Sequence, residues 1–202
     1  MKKTCLVIGN GPSLAGVPNK FLAKYPTFGS NRIYLKFVPE VYACVNPLVT
    51  RQYRIEIVEM KNEKYIDSIT ADLIPDCFKI RDLHRPEFST VPGFYGAGYT
   101  VTSVLLQIAY WYGYKRVGLI GVDHRYTFEG KPNQELTAGA VDPNHFNSSY
   151  FSNVQWNAPD LKKSEIAYKL AKEAFEEAGG EVINLSPESA LNVFKRGDWR
   201  EW

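Results

Sequence analysis

Five places in this chain carry residues that could do chemistry together. Gly9-Asn10-Gly11-Pro12-Ser13 follows one apolar run, Ser30-Asn31 follows a second and Asn46-Pro47 a third. Asp123-His124-Arg125-Tyr126 follows a fourth, and His145 lies in Asp142-Pro143-Asn144-His145-Phe146. An asparagine amide both donates and accepts, which suits a base edge, a ribose or a sugar hydroxyl. Gly9 and Gly11 let backbone approach a ligand, and Pro12 fits a first helical position whose free N–H groups can hold phosphate. A neutral His145 could take a proton from a hydroxyl near neutral pH. Arg125 could neutralise a leaving phosphate. Asp123, His124 and His145 could ligate a metal, but no tight spacing demands it. Each residue also has a plainer reading. Asn and Gly after a strand serve as turn residues, His145 could pack its own loop, and Arg125 could be a solvated charge. His84, in a polar segment, reads as a surface residue.

The elements that must position these groups follow from periodicity. Residues 4–8 are continuously apolar and end in a glycine turn, as a strand covered on both faces does. Further strands are expected at 25–29, 41–45, 54–59 (where Ile55 and Ile57 alternate with polar neighbours) and 76–80. Val101, Val104, Leu105, Ile108, Ala109 and Tyr112 mark one helix face. Thr100 or Thr102 would cap that helix and Gly113 would end it. The loop Gly93–Tyr99 leads into it, either as a ligand-approaching turn or as a hinge. A strand at 117–121 follows. Asp160 caps a second helix over 161–178, with Ile166, Ala167, Leu170, Ala171, Ala174 and Ala178 on its apolar face. Gly179-Gly180 stops it before a strand at 181–185. Strands alternating with helices predict an α/β fold: a single Rossmann-like domain over 1–202, with a mostly parallel sheet flanked by helices. Ligands then bind outside the carboxyl ends of the strands, where the asparagines and Asp123 fall. Residues 123–160 show no sustained period but carry Tyr126, Phe128, Phe146, Tyr150, Phe151 and Trp156. They read as a long ordered site loop, with 161–202 as closing helix, strand and tail. Lys61–Lys64 and Lys162-Lys163 read as solvated faces. Trp199 and Trp202 in the tail would dock on the domain or on a partner.

Composition narrows the function classes. A net charge of +2 over 202 residues gives no field for nucleic acid. Cys5, Cys44 and Cys77 cannot all pair and form no CxxC, so reduced thiols and a cytoplasmic location are expected. The apolar run after Met1-Lys2-Lys3 is too short for a signal peptide, and nothing approaches the ~20 apolar residues of a membrane span. The sequence leaves self-association open.

Ile8-Gly9-Asn10-Gly11-Pro12-Ser13-Leu14, Ser30-Asn31-Arg32-Ile33-Tyr34 and Asn46-Pro47 resemble the asparagine motifs of bacterial lipo-oligosaccharide sialyltransferases. The run from Thr100 through Gly113-Tyr114-Lys115 to Gly121-Val122-Asp123 resembles their helix–strand–Asp element. Gly-Pro-Ser-Leu and Tyr114–His124 also resemble a wider family, the 6-hydroxymethylpterin diphosphokinase-like proteins, as do Asp142–Phe146 and Ser164-Glu165. Many bacterial members of that family are associated with surface glycans. The resemblance implies a nucleotide-binding Rossmann-like fold. It implies that Gly9, Asn10, Gly11, Ser13 and Asn31 hold a CMP-sugar, with Asn46 and Asp123 nearby and Thr100 at the helix start. It further implies a histidine base in the loop before the last long helix, where His145 lies, and aromatic support of the leaving phosphate after the strand-end aspartate, where Tyr126 lies. The expected activity is glycosyl transfer from a nucleotide-activated donor to a glycan or small-molecule acceptor. His145 is its base, and Arg125 and Tyr126 stabilise the departing phosphate. The alternatives are diphosphoryl transfer from ATP, which would need Mg²⁺ near Asp123, and a non-catalytic nucleotide- or glycan-binding module.

Overall fold

The computed structural model describes residues 3–202. In chain order the elements are β1 (Thr4–Ile8), α1 (Asn19–Leu22), β2 (Thr27–Ser30), β3 (Val41–Cys44), α2 (Pro47–Gln52), α3 (Arg54–Glu59), β4 (Glu63–Asp67), β5 (Phe78–Asp82), β6 (Phe94–Tyr95), α4 (Val101–Trp111), β7 (Arg116–Ile120), β8 (Glu135–Thr137), β9 (Gln155–Asn157), α5 (Leu161–Glu177), β10 (Glu181–Asn184) and β11 (Lys195–Arg196). Nine strands form one parallel sheet in the order β11-β10-β7-β1-β2-β3-β4-β5-β6. The fold is therefore the expected α/β architecture, a parallel sheet flanked by helices.

The order explains where a ligand can bind. From β1 the chain steps outward through β2, β3, β4, β5 and β6, then crosses back through α4 to place β7 on the other side of β1. The loops after β1 and β7 therefore leave neighbouring strand ends in opposite directions. This is the switch point at which such sheets open a crevice. Register is held by Cys5 beside Val117 and Ile8 beside Ile120.

The sheet is covered on both faces, which is why β1 is apolar throughout. Side chains alternate along it: Cys5 and Val7 join the core beneath α4 and α5, with Leu105, Ile108 and Phe175. Leu6 and Ile8 join the opposite core, with Leu14, Phe21 and Ile57.

The structure departs from the sequence expectations in four places. Residues 54–59 form helix α3, not a strand. Ile57 is fully buried while Ile55 is exposed, and buried Tyr53 and Met60 complete a helical face with Ile57. The fourth strand lies instead at Glu63–Asp67, inside the stretch taken for a solvated lysine face. Lys64 is buried, its Nζ donating to the Met60 and Asn62 carbonyls. The fifth strand is shifted to Phe78–Asp82. On α5, Ile166 is exposed, and the buried face is Ser164, Ala167, Tyr168, Ala171 and Phe175. Ala-rich spacing alone hid the two aromatics.

The tail docks on the domain. Trp199 packs on Phe21, the Arg116 guanidinium covers Trp202 at 3.6 Å, and Tyr25 Oη donates to the Trp202 carbonyl. Cys5 and Cys44 are buried free thiols, and Cys77 is half-buried and free. Among the described residues no helix is long and apolar enough to cross a membrane.

Candidate functional site

A cavity of about 440 Å³ opens at the carboxyl ends of the strands, within the range of small-molecule sites. Its wall includes Gly9, Asn10, Gly11, Asn31, Asn46, Thr100, Asp123, His124, Arg125, Tyr126 and His145. Ser13 lies outside the lining.

The turn after β1 is built against the end of β7. Gly9 N–H donates to the Ile120 carbonyl and Gly11 N–H to Gly121 at 2.8 Å. Ser13 N–H donates to Asp123 Oδ2, also at 2.8 Å. The segment Pro12–Gly16 is only a short 3-10 turn. The aspartate thus sits where the sequence suggested a bound phosphate, and it takes up the N–H offered there. A Cβ on Gly11 would come 2.4 Å from that same Oδ2, so glycine is required for the carboxylate to lie over the turn.

The three asparagines differ in what they leave free. Asn10 Nδ2 donates to the Ser30 carbonyl and hydroxyl, while its Oδ1 is buried without a partner among the described residues. Asn31 has φ 51°, a left-handed conformation that asparagine tolerates, and its carbonyl accepts from Tyr42 Oη. Asn46 is spent on structure. Its Oδ1 caps α2 by accepting from Leu48 N–H, and its Nδ2 donates to Asn157 Oδ1 at 3.0 Å.

The helix start that opens into the cavity is that of α4. Thr100 is its N-cap, with Oγ1 accepting from Thr102 N–H, and Thr100, Val101 and Thr102 all line the wall. An 11-residue helix directs its positive dipole end at this point.

The long loop carries the antiparallel ribbon β8–β9, pairing Leu136 with Trp156, and is tied to the turn after β1 by the Phe146 N–H···Asn10 carbonyl bond. Within it His145 Nδ1 lies 2.8 Å from Asp142 Oδ2. Asp142 is itself fixed by the N–H groups of Asn144 and Phe151. The imidazole stacks on Tyr150 at 4.0 Å, with Phe151 and Tyr126 edge-on to it. Arg32 holds Tyr150 from behind. Its N–H donates to Tyr150 Oη, its guanidinium donates to the Ser149 and Tyr150 carbonyls, and it lies over the Tyr53 ring. With Nδ1–H directed at the carboxylate, Nε2 is left as a proton acceptor.

Burial of Asp142 pushes its carboxyl pKa up, but the hydrogen bond and charge of His145, with two backbone N–H groups, more than offset this, and the net shift is downward. A carboxylate lowered in the folded state stabilises the fold above the usual carboxylate pKa. That contribution is lost as pH falls through the folded value. Replacing Asp142 by Asn is therefore expected to flatten the acid limb of stability below about pH 4. Urea unfolding across pH 2 to 7 measures it, and an unchanged acid limb would contradict the assignment.

Arg125 is exposed at the cavity mouth, and Tyr126 is 37% exposed against His145. Sequence reasoning assigned no role to Asp142, although its spacing three residues before His145 was visible. It also passed over Arg32, Tyr150 and the pairing of His124 Nε2 with Glu165 Oε1 at 3.2 Å, which joins residues distant in sequence. Among the described residues, no group of three or more His, Cys, Asp or Glu converges to hold a metal ion.

No protein-family model matches the chain, and no curated protein matches it. The resemblance to 6-hydroxymethylpterin diphosphokinase-like proteins is thus left without support. Solved structures do match. The MAf glycosyltransferase of Magnetospirillum magneticum AMB-1 superposes with a TM-score of 0.62 at 12% identity. The match covers all of this chain and 34% of that one, so this chain spans about a third of that enzyme's length. The sialyltransferase CstII of Campylobacter jejuni, in complex with the substrate analogue CMP-3FNeuAc, superposes with a TM-score of 0.55 at 15% identity, covering 97% of this chain and 86% of that one. At such identities the shared property is the fold.

Proposed function

We propose that this chain transfers a sugar from a nucleotide-activated donor of the CMP-sugar type to an acceptor hydroxyl. The observation that carries the reading is the Asp142–His145 pair, whose histidine lines the same cavity as Asn10, Asn31 and the start of α4. His145 Nε2 takes the acceptor proton as the hydroxyl oxygen bonds to the anomeric carbon. Asp142 holds the imidazole in that tautomer and balances the charge it gains. The bond from the anomeric carbon to the phosphate oxygen breaks, and the nucleotide phosphate leaves toward the α4 N-terminus. Tyr126, edge-on to His145, orients the base rather than the phosphate. Arg125, at the mouth, meets solvent-facing parts of donor or acceptor.

Two further facts support this reading. The fold is shared with two glycosyltransferases, one of them in complex with a CMP-sugar analogue. The sequence motifs resemble those of sialyltransferases, which points to surface-glycan assembly. A thermal-shift screen of nucleotide sugars tests it. At ligand 100-fold above Kd, stabilisation is about 2.7 kcal/mol, which is readily seen. CMP-sugars should raise the Tm. If no nucleotide or nucleotide sugar does so, the proposal fails.

A further inference from the structure

A second histidine lines the same cavity, and the transfer reaction above gives it no role. His124 follows Asp123 at the end of β7 and adopts φ 53°. Its ring is 7% exposed, and Nε2 lies 3.2 Å from Glu165 Oε1 on α5. The ring meets Tyr168 edge-on at 6.1 Å. Tyr168 lines the same cavity as Thr100 and Thr102 at the start of α4. His124 Nδ1 has no protein partner among the described residues. An imidazole with a carboxylate behind it and a helix N-terminus beside it thus faces the cavity. Of the neighbouring Asp123 carboxylate, Oδ2 accepts from Ser13 N–H, while Oδ1 is buried without a partner among the described residues.

Resting on the transferase reading, we infer that His124, held by Glu165, is the cationic donor to the 5′-phosphate of the nucleotide. When protonated, His124 would add its positive charge to that of the α4 N-terminus, which lines the same cavity. The nucleotide phosphodiester of a CMP-sugar carries one negative charge. The monophosphate released when the anomeric bond breaks carries more, so a hydrogen bond from Nδ1–H strengthens as the phosphate departs. The proton remains on His124, and the acceptor proton goes to His145. The two histidines divide the reaction: one with its carboxylate on the acceptor side, the other with its carboxylate on the leaving-group side. Glu165 is a positioning residue, since it touches His124 and not the phosphate.

The test compares CMP with cytidine by titration calorimetry on the full chain, with UMP and uridine as a second pair. His124→Asn keeps a residue that tolerates positive φ but removes the charge. Glu165→Gln leaves the backbone of residue 124 untouched. His124→Asn should weaken the monophosphate roughly tenfold or more and leave the nucleoside unchanged. Glu165→Gln should move the monophosphate in the same direction by less. Equal weakening of phosphate and nucleoside would mean that His124 merely packs the wall. Unchanged monophosphate binding in both variants would also overturn the inference while leaving the transferase reading intact. Wild-type protein that bound none of the four would overturn both.

Discussion

Replacing His145 by Gln is expected to lower the rate of sugar transfer by about 10²–10⁴-fold, the range that a positioned general base supplies. Gln retains a polar end but cannot take a proton at neutral pH. Because Nε2 acts on the acceptor, the variant should keep its affinity for the donor and for the free nucleotide. The loss should therefore appear in kcat and not in donor KM. Asp142→Asn should lie between wild type and His145→Gln. The ring would keep a hydrogen-bonding neighbour but lose the charge that stabilises the imidazolium. Transfer rate read together with Tm separates the two roles that His145 could have. Loss of a base lowers kcat in a stably folded protein, whereas loss of a residue that only packs the loop through Tyr150 and Phe151 would lower Tm and leave kcat near wild type. Wild-type turnover in a folded His145→Gln protein would sink the mechanism.

The second large effect is expected at the switch point. A Cβ on Gly9 would come 2.5 Å from the Gly121 carbonyl oxygen and 3.0 Å from Val122 Cγ2. The first neighbour is backbone of β7's own exit, so no side chain can swing away to make room. Gly9→Ala should cost about 1–3 kcal/mol, the usual price of overpacking a closed interior. It should also push apart the two turns that carry Asn10 and Asp123, so nucleotide binding should fall together with stability. Gly16→Ala is the matched control, because its Cβ would meet nothing within 4 Å. Denaturant unfolding of both variants, with nucleotide titration of each, measures the contrast. A Gly9→Ala protein as stable as Gly16→Ala would show that β1 and β7 are less tightly joined than their Gly9–Gly121 approach indicates.

These two sites also mark the boundary between what residues reveal locally and what the fold decides. The apolar run at residues 4–8, the glycine turn after it and the helix–strand unit over residues 100–122 were legible because each obeys one period over its whole length. They are also the parts whose burial is least ambiguous, since β1 and β7 lie at the centre of a sheet covered on both faces. Residues 54–67 were misread for the opposite reason. Ile55 and Ile57 fit a strand's alternation as well as a short helix, and Lys64 reads as solvent-facing until its Nζ is seen capping buried carbonyls. Six-residue elements carry too few repeats to choose between periods.

The candidate site divides in the same way. Its members were visible as residue types at strand ends, because a parallel α/β sheet gathers all its carboxyl ends on one rim. That alone pointed to Asn10, Asn31, Asn46 and Asp123, while His145 came from the long loop, and the cavity wall holds each of them. Which atoms remain free was beyond sequence, because hydrogen bonds between distant residues exist only after the chain has packed. Asn46 turned out to be an N-cap joined to Asn157, and Asp123 the partner of Ser13 N–H. His124 gained Glu165 from a helix 41 residues on. By itself, then, the amino-acid sequence determined the α/β class, the rim and its cast of polar residues, through periodicity and short-range turn chemistry. Only the tertiary structure decided which of those residues cap, which pair and which face the cavity, because each side chain's hydrogen-bonding capacity is finite and its nearest claimant is set by packing.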